Sequence, residues 1–437
     1  MKELRKKSAD SGVNQMIVKA HREQTELAWD RAEAMQPQCG FGRLSICCTE
    51  CLEGPCRINP FGEAEQKTVC GRSQQELMEK QFLRKSADGT AALASLAGHY
   101  GCQIDAAAWR VISLNSDTML NCSARLAEVG SAAAAILTNL AKAQPGKRVT
   151  TAAGMGVLEA GKANIVCHGH VPPAKVEALL KAAGSAANVV SICGSEKMLP
   201  VVTNYDSQET ALLTGLVDVL VVGPQCVTPA TIALAEKLSI PVRYYSQLGD
   251  DTSIKEAVAI AAKAFQRRSG KSAETGAAKK ESCIGYDGAA VAKGLVYLGG
   301  CGNLANTQDA SFVKAAAVAL DRGLTVVAGG CAGTALAKAG LCDAKSVVNL
   351  GSCHDAGAFL ELARQVKAAG LPVFAVMPEL THNKTVATAV AFASQGIPTW
   401  VNLGEIALPA DLLGGNLRSF AGVKQIGQVL ADAVAGK

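Results

Sequence analysis

The chain has 437 residues, of which 49% are hydrophobic and 19% charged. That suffices for about three domains of ordinary size around a large packed core, and it excludes a disordered chain. The formal net charge is +5, from 43 basic and 38 acidic residues spread evenly along the chain, so no basic stripe marks a nucleic-acid partner and none is expected.

The N-terminus, MKELRKKSADSGVNQ, has no apolar run behind its charged start. Apolar stretches such as Ala257–Ala262 and Ala315–Leu320 are too short to span a bilayer. A soluble, cytoplasmic protein with no membrane insertion is expected. In that compartment thiols stay reduced, so sixteen cysteines point to metal binding rather than to disulfides.

Helical periodicity dominates the first part of the chain, in Gln15–Met35, Gln74–Ser86 and Ser123–Ala143, with no convincing strand. Apolar β-type runs then alternate with helical stretches: Ala163–Cys167, Asn188–Ile192, Val217–Val222 and Pro241–Tyr245. This is the pattern of a parallel sheet with crossover helices. The segment Gln266–Ser282, rich in Lys, Ser, Gly and Ala, reads as a linker, and the basic stretch Arg267, Arg268 and Lys271 as solvated. A second alternating series follows in Leu295–Leu298, Leu324–Val327, Val347–Leu350, Pro372–Val376 and Thr399–Leu403. The expected fold is therefore α/β, with a helical cluster-binding domain over 1–147 and two Rossmann-like doubly wound domains over 148–272 and 273–437.

Six cysteines fall in QCGFGRLSICCTECLEGPCRINPFGEAEQKTVCG. Cys48, Cys51, Cys56 and Cys70 have the spacing C-x₂-C-x₄-C-x₁₃-C, and four thiolates from a Gly- and Pro-rich loop can reach one metal core. Cys39 and Cys47 remain. Two thiolates are half of a four-ligand set, which a second copy of the chain completes across a two-fold axis. A structural zinc site with spare thiols is the alternative. The adjacent pair Cys47–Cys48 argues against it, because neighbouring side chains diverge and serve separate sites.

Five further cysteines each follow an apolar strand and sit in a turn near a glycine: VVSICGSE at Cys193, LVVGPQCVTP at Cys226, LVYLGGCGN at Cys301, VVAGGCAG at Cys331 and VVNLGSCHD at Cys353. In open α/β sheets ligands bind beyond the carboxyl ends of the strands, where helix N-termini also favour thiolate over thiol. One such cysteine would more often be a small core residue; five in one position suggest a common site. His168–Gly169–His170 also lies just past a strand, so an imidazole can join them, although either histidine alone could be an ordinary hydrogen-bonded one. Five thiolates and an imidazole exceed what one tetrahedral zinc takes and suit an iron–sulfur cluster that carries an extra metal.

With ICCTECLEGPCRI…CG, VCHGHVP, QCVTP, GGCGN, VVAGGCAG and LGSCHD in this order, most of the chain resembles the anaerobic nickel–iron carbon monoxide dehydrogenases, distant relatives of the hybrid-cluster proteins. The resemblance implies a homodimer with a [4Fe-4S] cluster on Cys48, Cys51, Cys56 and Cys70 of each subunit. It also implies an interface cluster shared through Cys39 and Cys47, and a nickel–iron–sulfur centre on His170, Cys193, Cys226, Cys301, Cys331 and Cys353. The second histidine of HGH is the ligand by that resemblance. Lys384, in THNKTV, falls where the family has an active-site lysine, and His382 accompanies it. The implied reaction is reversible oxidation of CO with water to CO₂, with electrons passed to a ferredoxin-like acceptor. A hybrid-cluster-like reductase of hydroxylamine or another small nitrogen species is the enzymatic alternative; a redox carrier or sensor is the non-catalytic one.

The chain departs from the family pattern at several places. It is short, with the loss read between His99 and His168 and at the C-terminus. A ladder of histidines is replaced by Leu93, Leu96 and His99, and leucine carries no proton, which leaves His99 as a candidate acid–base group. A double cysteine is reduced to Ile192–Cys193, with Glu196 close behind as a carboxylate of the kind that hybrid-cluster proteins use.

Overall fold

A computed structural model describes residues 6–62, 65–113, 121–143, 149–194, 196, 198–268, 280–285, 291, 293–406 and 408–434. Lys271 and most of the expected linker lie outside them. In chain order the strands are β1 (Cys47–Cys48), β2 (Cys56–Arg57), β3 (Val149–Ala153), β4 (Ala163–His168), β5 (Ala187–Ile192), β6 (Val219–Val222), β7 (Val242–Tyr244) and β8 (Lys280–Ile284). They continue with β9 (Leu295–Gly300), β10 (Thr325–Ala328), β11 (Val347–Asn349), β12 (Val373–Glu379), β13 (Thr399–Asn402) and β14 (Leu417–Phe420).

The residues divide into two compact units, each discontinuous in sequence: 1–33, 144–293 and 298–356 in the first, 34–143, 294–297 and 357–437 in the second. Contiguous domains were expected, with boundaries at 147 and 272; a break of this division falls at 143/144 and none near 272. In the first unit the amphipathic helix Ser11–Arg22 buries Val13, Met16, Ile17 and Ala20 in one core with Val166, Val190, Leu220 and Cys331, and burial of that apolar stripe joins remote stretches of chain.

The first unit holds a four-stranded parallel sheet in the order β5-β4-β6-β7. Its strands β4, β5 and β6 are largely apolar runs buried on both faces, as βαβ crossovers require, and the edge strand β7 is half-exposed. The order reverses between β4 and β6, so the crevice at their carboxyl ends is a topological switch point. Also in this unit β10 pairs parallel with β11, β11 with β8, and β8 antiparallel with β3. Val201 bridges to both Ala153 and Ser191.

The second unit carries β12, β13 and β14 as a parallel set, together with the helices Gln74–His99, Cys122–Ala143, Gly357–Ala368 and Asn383–Ser394. Helix Gln74–His99 starts in a capping box, Ser73 with Glu76, which satisfies orphan amides at its first turn. It then crosses helix Asn383–Ser394 at Gly89, where an added Cβ would meet the Asn383 carbonyl oxygen at 1.9 Å. Tyr297, Phe359 and Phe392 stack pairwise at 5.0–5.1 Å in this unit's core.

Several sequence expectations change. Gln15–Met35 is two helices, Ser11–Arg22 and Ala28–Ala34, because Gln24 takes a left-handed conformation, φ +51°. The linker's ends are structured: helix Asp251–Arg268 runs into it and β8 begins at Lys280. Arg268 is half-buried and paired rather than free in solvent. Its guanidinium pairs with the Asp218 carboxylate at 2.8 and 2.9 Å, and Asp218 is 1% exposed. The strands β3, β8 and β14 were unforeseen, as was the short β1–β2 pair in the N-terminal part.

Candidate metal centre

The HGH turn joins β4 to the crevice. Gly169 has φ +100°, and a Cβ there would meet the Gln225 carbonyl oxygen at 2.3 Å; one on Gly223 would meet the Gly169 carbonyl oxygen at 2.2 Å. The loops after β4 and β6 therefore touch backbone to backbone, which brings His170 and Cys226 together. Both have left-handed backbones, φ +65° each, as does Cys193 at φ +72°. Such conformations cost about 1–3 kcal/mol for residues other than glycine and persist where the surrounding structure over-determines them.

The two histidines of HGH have different partners. His168, fully buried, lies with Nε2 3.0 Å from Gln208 Oε1. That oxygen also accepts from the Thr228 amide and from Thr231 Oγ1. His170 turns Nε2 to within 3.6 Å of Cys226 Sγ and 3.8 Å of Cys353 Sγ. Its Nδ1 lies 3.4 Å from Ser352 Oγ, which is 2.7 Å from His354 Nδ1. Glu196, 4% exposed, accepts the Val171 amide at 2.9 Å and so holds the turn that carries His170.

Cys193 and Cys331 approach with sulfurs 3.0 Å apart. The hydrogen bond with Cys331, then burial, then the charges of Cys331, Cys226 and Cys353 push the Cys193 thiol well above its ordinary value. Burial, followed by Cys226, Asp206, Cys301 and Cys193, likewise raises the Tyr205 phenol. These mutual influences tie Cys193, Cys226, Cys301, Cys331 and Cys353 into one neighbourhood of the first unit. Gathered thiolates repel one another in a poorly hydrated site, and a bound cation relieves that repulsion.

His354 was missed in the sequence although it stands in the quoted LGSCHD. With His170 and Cys353 it offers donor atoms that all lie within 4.8 Å of one another. Ser352, Tyr205 and Asp206 were missed too, since no local motif marks them. The donor set, five sulfurs and up to two imidazoles, is soft and larger than one tetrahedral zinc needs, and it fits an iron–sulfur cluster that carries a further metal.

The remaining candidates lie in the second unit. β1 and β2 pair Cys48 opposite Cys56, and the loop between them turns at Gly54, where a Cβ would lie 3.1 Å from the Cys48 carbonyl oxygen. Lys80 reaches Cys48 Sγ at 3.9 Å and Glu50 at 2.9 Å. A hydrogen bond from Thr68 lowers the Cys70 thiol, and backbone amides of Gly42 and Phe41 lower that of the exposed Cys39. Cys51 is exposed and Cys47 half-buried.

His382 caps helix Asn383–Ser394 and Lys384 is buried in its first turn. Leu93 and Leu96 are 1% and 0% exposed. His99, the last residue of its helix, is exposed. At 1.5 Å per residue it is about 15 Å along the helix from Gly89, the point of contact with Asn383.

Residues 103–413 match the Prismane/CO dehydrogenase family. The carbon monoxide dehydrogenase of Rhodospirillum rubrum is 25% identical, covering 90% of each chain. Carbon monoxide dehydrogenase 1 of Carboxydothermus hydrogenoformans is 25% identical, covering 91% of each. Among solved structures, carbon monoxide dehydrogenase IV from Carboxydothermus hydrogenoformans superposes with a TM-score of 0.85 at 21% identity, covering 99% of both chains. Carbon monoxide dehydrogenase from Thermococcus sp. AM4 gives 0.83 at 21% identity, with 99% and 98% covered. On the match over residues 103–413, the chain belongs to the Prismane/CO dehydrogenase family.

Proposed function

We propose that this protein oxidises CO with water, reversibly, to CO₂, two protons and two electrons. His170, Cys193, Cys226, Cys301, Cys331 and Cys353 would hold a nickel–iron–sulfur centre. When bound, that centre supplies a soft metal for CO and a Lewis-acidic iron that eases deprotonation of water. The observation that carries the proposal is the left-handed backbone shared by His170, Cys193 and Cys226, a cost that has a reason if those side chains must converge on one object.

The protein's own groups orient and enclose. Gln208 engages His168 and leaves His170 as the imidazole turned to the thiols. Glu196 fixes the turn between them. Burial of His170, Cys193, Cys301 and Cys331 limits access of bulk water, which strengthens every charge interaction inside. Lys384 and His382 are the proposed sources of charge and proton transfer. Cys48, Cys51, Cys56 and Cys70 would hold a [4Fe-4S] cluster, and Cys39 with Cys47 half of a second one shared in a cytoplasmic homodimer, with a ferredoxin-like acceptor beyond. Among the described residues no helix is long and apolar enough to cross a membrane.

Anaerobically purified protein should contain nickel and iron and reduce a viologen dye when CO is supplied. Nickel-free protein that instead reduces hydroxylamine would move the assignment to a hybrid-cluster-like reductase. Turnover of neither, with clusters present, would leave a redox carrier or sensor. Replacing Cys39 and Cys47 together by Ser should remove roughly one cluster per dimer and spare the Cys48–Cys70 cluster.

A further inference from the structure

We infer that Ser352 is the positioning residue that sets the ring orientation and tautomer of His170, with His354 as its anchor. This rests on the proposal that His170 is a ligand of the metal centre.

The turn that carries His170 is fixed by backbone conformation, but a ring on such a turn can still rotate. Its Nε2 faces the sulfurs of Cys226 and Cys353 at 3.6 and 3.8 Å, so Nδ1 must find a partner on the other side. Ser352 Oγ is there at 3.4 Å. A serine hydroxyl has one proton to give and lone pairs to accept with. The shorter contact, 2.7 Å to His354 Nδ1, is assigned as the one into which Ser352 donates. The hydroxyl then accepts from His170 Nδ1–H, and His170 Nε2 keeps a lone pair aimed at the thiols.

Ser352 and His354 are both fully buried and His170 is 1% exposed, so bulk water does not compete for these bonds. The two rings meet edge to face, 5.2 Å between centroids at 65°, which further restrains His170. His354 could instead be a second imidazole ligand, since its donor atom lies within 4.8 Å of those of His170 and Cys353. Its Nδ1 is engaged by Ser352 at 2.7 Å, however, and an anchoring role uses that contact.

The test uses holoprotein labelled with ¹⁵N-histidine, purified anaerobically. It reads the histidine hyperfine coupling of the centre and the nickel retained against EDTA. Wild type should show coupling to one histidine ring, lost in His170→Ala. Ser352→Ala should change that coupling and lower nickel retention roughly tenfold, the usual scale for removing a partner of a metal ligand, while the N-terminal cluster signal persists. Ser352→Thr, which keeps the hydroxyl, should restore both. Unchanged coupling and retention in Ser352→Ala overturn the inference. So do two histidine couplings in wild type, one of them lost in His354→Gln. If His170→Ala itself changes neither reading, the ligand assignment of His170 fails first and the role of Ser352 falls with it.

Discussion

Cys193 and Cys331 bring their sulfurs within 3.0 Å of each other although 138 residues separate them in the chain. No sequence spacing could announce that pair. It arises because the turns after β5 and β10 enter one buried neighbourhood, where each thiolate raises the cost of the next.

That proximity makes the metal-free site sensitive to oxidation. In the proposed metal-bound form both sulfurs are ligands; without metal, O₂ can take two electrons and two protons from the pair and leave a disulfide. Metal-free protein exposed to air should therefore show a Cys193–Cys331 cross-link in peptide mass spectrometry and lose cluster reconstitution, with both effects reversed by dithiothreitol. Air-treated protein with both thiols still alkylatable would show that the two sulfurs do not meet in solution.

Gly169 offers a steric test of the same centre. Alanine there must adopt φ +100° and place its Cβ 2.3 Å from the Gln225 carbonyl oxygen. Backbone strain alone is about 1–3 kcal/mol, and the clash adds to it by parting the loops that carry His170 and Cys226. Gly169→Ala should abolish the signal of the proposed nickel–iron–sulfur centre and leave that of the N-terminal cluster. Retention of both at full intensity would mean that the two loops need not touch.

Much of this organisation was legible in the sequence. Cysteine after an apolar strand beside glycine is a local pattern, and strands end where α/β sheets bind ligands, so Cys193, Cys226, Cys301, Cys331 and Cys353 could be grouped before their distances were known. Partnership was not legible. Ser352 meets His170 across 182 residues, and Glu196 accepts the Val171 amide across 25. Gln24 broke a helix that periodicity had drawn through it, because a single left-handed residue leaves no trace in the apolar pattern. β8 was hidden in a stretch that composition read as linker.

Leu93 and Leu96 show how one residue can be read for its chemistry or for its packing. By the family resemblance they stand where histidines are expected; in the fold they are among the largest fully buried side chains. Leu93→His with Leu96→His should destabilise the protein by roughly 1–3 kcal/mol per site, the cost of a buried polar group without a matched partner. CO oxidation should not rise. A double variant that melts with wild type and turns over faster would show that water or a partner reaches these positions and that the ladder can be rebuilt.

His382 gives the pH dependence. It caps helix Asn383–Ser394, where the positive end of the helix dipole disfavours a cation. Burial first, then the charge of Lys384, lowers its imidazole to about 4 from the ordinary 6.5. Between those values the unfolded chain binds a proton that the folded chain refuses. The contribution of His382 to stability is therefore fully present above pH 6.5 and is lost as pH falls toward 4, by about 2 kcal/mol at pH 5. His382→Gln has no such proton to bind. Unfolding measured at pH 7.5 and at pH 5 should show wild type losing about 2 kcal/mol more than the variant over that interval. Parallel losses in the two proteins would show that His382 is reached by solvent and titrates like an unfolded histidine, and its neutral form would then have no special claim as a proton acceptor near Lys384.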